Sequence, residues 1–297
     1  MTFDVAVVGA PFLDLTFEGM DRLPGAGEEV VANALHLAPG GTGMHAIGAA
    51  RLGLATALVA PIGGPGAGGM VVEMVQAEGV TIVRDDQRPG AVPVTALLTT
   101  PEGVAMASVI EGSEPTATEV ASAGAPAVVL SLGRLPLAPP GADLYAITGG
   151  LELGRVTEET MQRLVSAHAL IVNAKEATAL TDRADPEEAA LDLARTVPTA
   201  IVTTGPDGAL AAEGDHVTSA PAPQVEVVDA TGAGDLFVAA YVWAELRGAG
   251  LRDRLAWASL YAALSTRAPT ALAGALHLDE LLAEGAAHGL RPLQRAQ

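Results

Sequence analysis

The sequence predicts an α/β protein: a largely parallel sheet covered by helices on both faces, with a small strand-built flap beside it. Apolar runs of strand length alternate with helix-length segments along most of the chain, the pattern of strands buried on both faces beneath crossover helices. At 297 residues, 49% of them apolar and 17% charged, the chain can bury a sizeable core. Two regions break the alternation, near residues 12–38 and 88–113, where strand-like stretches follow one another with little helix between them.

In chain order, DVAVVGA reads as a first strand, TGMHAIGAARLG as a helix with small residues on its packing face, and ATALVAPIG as the next strand. MVVEMVQAEG is a short helix closed by Gly79, which suits a C-terminal cap. PAVVLSLG and DLYAITGG continue the strands, and TEETMQRLVSAHA and DPEEAALDLARTV the helices. LIVNAKEA and TAIVTTGPDGAL open as strands, and a helix follows Asp235. EEVVANALHLA, VPVTALLTT and GVAMASVI supply the flap strands, inserted from about 12–38 and 88–113 into one domain over 1–297. No internal repeat stands out.

Sixteen basic against 35 acidic residues give a net charge of −19. Nucleic acid and anionic membrane surfaces are therefore disfavoured partners, since both recruit clustered Lys and Arg. A phosphorylated small ligand remains compatible, because backbone N–H groups and a divalent cation neutralise phosphates locally. The absence of cysteine excludes disulfides, thiolate zinc sites and thiol catalysis. The opening MTFDVAVVGAP lacks a basic leader pattern, so no targeting segment is expected. Leu52–Val72 is free of charge for 21 residues, but its six glycines and two prolines break a membrane helix, and a strand, loop and helix start is the expectation.

The chemistry concentrates in VDATGAGDLFVAA, Val228–Ala240. Small residues between two aspartates let backbone amides approach a ligand, and the helix start that follows is an anion site. A carboxylate at such a site repels phosphate unless it serves to take a proton from an attacking hydroxyl. The competing reading makes Asp229 and Asp235 caps of a turn and a helix.

Other motifs are weaker. The single lysine, Lys175, lies in NAKEA, so no Gly-Lys-Ser/Thr phosphate loop exists. Gly64, Gly66 and Gly69 form a G-x-G-x-x-G after a strand, but no ribose-binding acid follows, and a turn is the simpler reading. No G-x-S-x-G elbow or close histidine pair occurs, so hydrolase and metal-hydrolase chemistry have no support.

Six separated stretches, in one order, resemble the ribokinase-like, or phosphofructokinase-B (PfkB), family of carbohydrate and nucleoside kinases. VDATGAGDLF resembles its C-terminal signature, PGGTGMHAIGAARLG its double-glycine segment, and VVGAPFLDLTF its opening strand with a following aspartate. NAKEA fits N-x-x-E, VTTGPDGAL the nucleotide-side strand and turn, and ASLYAALSTRAPTALAG the last helix and loop.

The resemblance implies a three-layer α/β/α sandwich with a mostly parallel central sheet and a small β lid. It makes Asp235 the general base and Gly232, Ala233 and Gly234 the anion hole. Asn173 and Glu176 would organise Mg²⁺ and the phosphates through water, Glu176 being otherwise an ordinary acid of a first helical turn. Thr203, Gly205 and Gly208 would line the nucleotide, or else form a plain strand and turn. Ser259 falls where many relatives carry an asparagine near the adenine.

Asp14, Gly40 and Gly41 would hold the acceptor, Asp14 accepting from its hydroxyls. Asp229 would help hold a monovalent cation such as K⁺.

Two departures fall on the acceptor side. The double-glycine segment is one residue short, so the usual asparagine aligns with His45 counted forward or Met44 counted back, and His45 is taken as the acceptor contact. Pro65 replaces the aspartate of a common G-x-D-x-x-G.

The expectation is an ATP- and Mg²⁺-dependent kinase acting on a hydroxyl of a small sugar or sugar-like molecule, cytoplasmic, with a homodimer through the lid compatible with the pattern. A nucleoside kinase of the same family and a non-catalytic binding protein on the same fold are the alternatives. A phosphorylated acceptor would need basic residues, for which Arg22, Arg84 and Arg88 are the candidates.

Overall fold

The structure is a computed structural model and describes residues 2–85 and 90–293. Arg88 and the start of the second lid segment lie outside the described residues. The first half runs β1 (Val5–Val8), β2 (Pro11–Glu18), β3 (Ala34–Gly41), α1 (Thr42–Arg51), β4 (Thr56–Val59), α2 (Ala67–Ala77), β5 (Thr81–Val83), β6 (Val94–Thr100), β7 (Gly103–Val109), α3 (Ala117–Ala123), β8 (Ala127–Ser131) and β9 (Asp143–Ile147). The second half runs α4 (Gly150–Leu153), α5 (Glu158–Arg163), β10 (Ala169–Asn173), α6 (Ala174–Thr181), α7 (Pro186–Leu193), β11 (Thr199–Thr203), β12 (Ala209–Glu213), β13 (His216–Ala220), α8 (Ala233–Leu246), α9 (Leu251–Ser265), α10 (Ala271–Gly274) and α11 (Leu278–Ala287).

The main sheet has nine strands in the order β13-β12-β11-β10-β9-β8-β1-β4-β5. It is parallel from β11 to β5, and β12 and β13 are added antiparallel at one edge. The apolar runs become strands buried on both faces: every residue of β1, β4 and β8 is buried. Alternation then sorts them, as the pleat requires. Val5 and Val7 join one core with α1, α8 and α9, while Ala6 and Val8 join another with α3 and α7. The result is the α/β/α sandwich that the sequence predicts.

A second sheet of four strands, β3-β2-β6-β7, forms the lid beside the body. Its inner strands pair parallel and its outer ones antiparallel. β7 is exposed along almost its whole length, whereas β2 alternates buried and half-buried residues.

Two local expectations need correction. EEVVAN is not strand; β3 begins at Ala34, paired with Glu18 at the end of β2, and Gly19 then turns the chain at φ 71°. Residues before Ala34 therefore have no strand beside them, and Val31 is exposed. TEETMQRLVSAHA forms helix only over Glu158–Arg163, because the chain tightens at Leu164–Ser166 so that the His168 amide reaches Leu144 O at 2.8 Å and enters the sheet.

Among the described residues, no helix is long and apolar enough to cross a membrane. Leu52–Val72 divides into the end of α1, strand β4, a glycine turn and the start of α2.

Candidate active site

Two cavities meet at the first turn of α8. The larger, of about 460 Å³, is lined by Asn173, Thr203, Gly205, Gly208, Ala233, Gly234 and Ser259, with Phe237 and Ala263 as apolar wall. The smaller, of about 260 Å³, lies under the lid and is lined by Asp14, Gly40, Gly41, Asp229, Gly232 and Asp235, with Phe12, Met44, Leu97 and Met106 as apolar wall. Of the residues expected at a nucleotide, Asn173, Thr203, Gly205, Gly208 and Ser259 line the larger cavity and Glu176 does not; of those expected at an acceptor, Asp14, Gly40 and Gly41 line the smaller, and Asp235 stands where the two approach. The G-x-G-x-x-G glycines and Pro65 line neither; Gly64 and Gly66 make the positive-φ turn before α2.

The acceptor cavity follows from β2. Alternation turns Phe12, Asp14 and Thr16 toward the same side, and all three line it. Gly40 is spaced for Asp14: a Cβ there would collide with the Asp14 carboxylate. Gly41 takes φ 55° and ψ −124°, a conformation that L side chains avoid, and its backbone amide favours the charged form of Asp235. Burial pushes the Asp14 carboxyl up to about 7, helped by the charges of Asp235 and Asp229 and opposed by the Thr95 hydroxyl. Burial also raises Asp235, and His45 and the Gly41 amide oppose it. A base of raised affinity for protons, aimed into a cleft, is suited to take one from a hydroxyl.

Gly232 caps α8 in the left-handed region at φ 78°, where a Cβ would also strike Ala271. The helix runs 14 residues, and its first-turn amides face the junction of the cavities. Ala233 N–H turns back to Ala230 O at 3.3 Å. Asp229 accepts from Thr231 N–H at 2.8 Å, and its own amide bonds Thr266 O at 3.1 Å, which ties this loop to the end of α9.

On the other side, Asn173 and Glu176 form a reciprocal capping box at the start of α6, each side chain accepting from the other's amide at 2.9 Å. Glu176 is buried, and burial raises its carboxyl. Thr204 N–H bonds Gly208 O at 2.9 Å, closing the turn between β11 and β12. Gly208 needs to be glycine twice over, for φ 103° and for the backbone of Ala220–Ala222 against it. Ser259 Oγ is buried without a hydrogen-bond partner.

Mg²⁺ tolerates this donor set. Among the described residues no cluster of three metal-ligating side chains exists, and Mg²⁺ bound with a nucleotide keeps waters and phosphate oxygens as ligands, so one nearby carboxylate such as Glu176 suffices.

His45 does not line the acceptor cavity. Its ring is buried behind Asp235, and Met44 takes the wall position. The sequence left Met44 as the alternative to His45 at this position and did not single out Phe12 or Leu97; the two-residue period around Asp14 is the signal that reaches Phe12 and Thr16. Of the three arginine candidates, the two among the described residues are engaged elsewhere: Arg22 pairs with Glu28 on the surface, and Arg84 donates to Ile62 O. Among the described residues, no lysine or arginine lines the acceptor cavity.

Residues 152–276 match the family described as pfkB family carbohydrate kinase. The chain is 27% identical over 277 residues to the ribokinase of Bacillus subtilis, covering 88% of this chain and 92% of that one. Its fold superimposes on ribokinase from Thermotoga maritima with TM-score 0.81 at 20% identity, covering 95% of this chain and 98% of that one. The nucleoside kinase of Burkholderia thailandensis, solved with inosine, gives 0.77 at 20% identity, covering 97% and 100%. The ribokinase of Arabidopsis thaliana, solved with ribose and ATP, gives 0.77 at 21% identity, covering 95% and 98%. The fold, the match over residues 152–276 and the signature-like start of α8 agree: the chain resembles the PfkB, ribokinase-like family of carbohydrate kinases.

Proposed function

We propose that this chain transfers the γ-phosphoryl group of ATP to a hydroxyl of a small, uncharged sugar or sugar-like acceptor. The observation that carries the reading is the placement of Asp235 and the α8 N-terminus between a nucleotide-sized cavity and a smaller one with carboxylates and a lid. Asp14 accepts from acceptor hydroxyls beside Gly40 and Gly41. Asp235 takes the proton of the attacking hydroxyl. The amides around Gly232, Ala233 and Gly234 stabilise charge on the transferring group.

Asn173, Thr203, Gly205, Gly208 and Ser259 hold the nucleotide. Mg²⁺ supplies charge neutralisation at the phosphates, with Glu176 oriented toward its waters, and Asp229 lies on the side of a monovalent cation such as K⁺. The lid excludes water and so limits hydrolysis of ATP. Carboxylates without a basic partner disfavour a phosphorylated or carboxylated acceptor. The reading places the enzyme in the cytoplasm, without nucleic acid or membrane as partner. A second copy pairing at the exposed β7 edge would cover an open ladder.

A nucleoside acceptor is the second reading. Phe12, Met44, Leu97 and Met106 give the acceptor cavity an apolar wall suited to a base.

The test is ATP- and Mg²⁺-dependent ADP release over sugars, polyols, sugar acids and nucleosides, with Asp235→Asn alongside. Turnover on one neutral class, reduced about 10²- to 10⁴-fold in the variant, is expected. Near-normal turnover by Asp235→Asn overturns the assignment of the base. ATP binding with no turnover on any acceptor favours a non-catalytic protein.

A further inference from the structure

We propose that His45 is a positioning residue for the base: it grips one carboxylate oxygen of Asp235 and leaves the other to the acceptor hydroxyl. The inference rests on the kinase reading above. His45 Nε2 lies 3.6 Å from Asp235 Oδ1, at ion-pair distance, and the His45 side chain is 6% exposed. On the far side of the ring, Nδ1 lies 2.9 Å from Gly41 O. Both ring nitrogens therefore face oxygens, and an imidazole donates to two acceptors only when it carries two protons. A ring that carried both protons would donate to Gly41 O through Nδ1 and present the other to Asp235 Oδ1. Asp235 Oδ2 points the other way, toward Gly232.

The double-glycine segment thus forms a clasp. The Gly41 carbonyl accepts from His45 Nδ1, and His45 Nε2 on the other side of the ring faces Asp235. Helix packing makes the reach possible. One turn beyond His45, Gly48 has no side chain, and α8 approaches so closely that a Cβ there would strike Leu236 and Ala239. The other charged groups whose fields reach Asp235 are carboxylates, Asp14 on β2 and Glu176 on α6, with Asp229 acting on Asp14 from the loop before α8. His45 is the group that offsets them at the base. A distance of 3.6 Å exceeds a hydrogen bond, and the proposal requires it to shorten with acceptor bound, as catalytic contacts commonly do.

The experiment compares His45→Leu with His45→Gln, and reads the pair by ¹⁵N-histidine spectra of the full-length protein. His45→Leu is expected to lose about a hundredfold in kcat with acceptor KM held, as for a misplaced catalytic group. His45→Gln keeps a donor and restores most of kcat, while the pH profile loses the ionisation of the pair. In the spectra, the ring signal absent from His45→Gln carries protons on both nitrogens, and it shifts in Asp235→Asn.

A rise in acceptor KM with kcat unchanged in both variants overturns the proposal and makes His45 a plain substrate contact. Unchanged kinetics in folded variants, with a ring signal indifferent to Asp235→Asn, overturns it as well. If the wild type turns over no acceptor, the kinase reading fails separately, and the spectra still decide whether the pair exists. Should His45→Leu not fold, His45→Gln and the spectra carry the test.

Discussion

Asp14 and Gly40 are diagonal neighbours across the β2–β3 ladder, two residues out of register, and the Asp14 carboxylate occupies the space that a Cβ on Gly40 would fill. The pair links backbone spacing to acceptor binding. Gly40 has an ordinary φ, so the requirement for glycine is room rather than conformation. Gly40→Ala is expected to push the carboxylate aside and raise acceptor KM about tenfold or more, the loss of a charged hydrogen bond. Nucleotide affinity stays unchanged, which titration with ATP alone checks. An unchanged acceptor KM would remove Asp14 from the acceptor site.

Asp14 also sets a pH dependence. Its carboxyl is raised from 3.8 to about 7 in the folded chain. The folded state therefore binds more protons than the unfolded state between those values, and stability falls as pH rises through that window. Asp14→Asn is neutral throughout, so its Tm advantage over wild type is expected to grow from about pH 4 to about pH 8. Acceptor binding moves the opposite way, with wild-type KM rising as pH drops below about 7 and the Asn variant lacking that limb. Parallel melting curves at all pH values would contradict the buried, raised carboxyl.

Glu176 caps α6, and substitution separates that role from the proposed one toward Mg²⁺. Glu176→Gln keeps an oxygen for the Asn173 amide, so the cap survives and stability is expected to change by less than about 0.5 kcal/mol. Loss of the charge raises the Mg²⁺ concentration needed for half-maximal turnover several-fold. Glu176→Ala adds a cap loss of about 1 kcal/mol, read by urea melting. Identical Mg²⁺ dependence in wild type and Glu176→Gln would leave Glu176 as a cap alone.

Arg51 anchors the floor of the acceptor site from α1. It makes a bidentate pair with Glu78 at 2.7 Å and donates to Leu272 O and Ala275 O, which flank the end of α10. Thr270 and Ala271, just before these carbonyls, line the acceptor cavity. Arg51→Ala leaves a half-buried carboxylate and two carbonyls unpaired, and a loss of about 1–3 kcal/mol in stability is expected, measured by chemical denaturation. Arg51→Lys recovers only part, because an ammonium lacks the planar fork.

Periodicity and motif carried most of this far. The strands buried on both faces were legible because a parallel sheet under helices needs continuous apolar runs, as β1, β4 and β8 show. The chemistry around Asp235 was legible because only small residues and a helix start fit between backbone amides and phosphate. Strand limits in the lid were not, since Val31 has strand-forming character, and only the length of β2 decides where β3 can begin.

The sequence by itself determined the α/β class, and it singled out Asp235 as the carboxylate proposed to act as base. It left open whether Met44 or His45 takes the position of the usual asparagine, because the segment is one residue short and both counts are legitimate. Only the tertiary structure decided that. Adjacent residues on a helix differ by about 100° in direction, and the close packing of Gly48 against α8 sets the rotation of α1. That rotation sends Met44 into the acceptor cavity and His45 to Asp235, a choice made by contact between segments nearly two hundred residues apart in the chain and therefore invisible in either one alone.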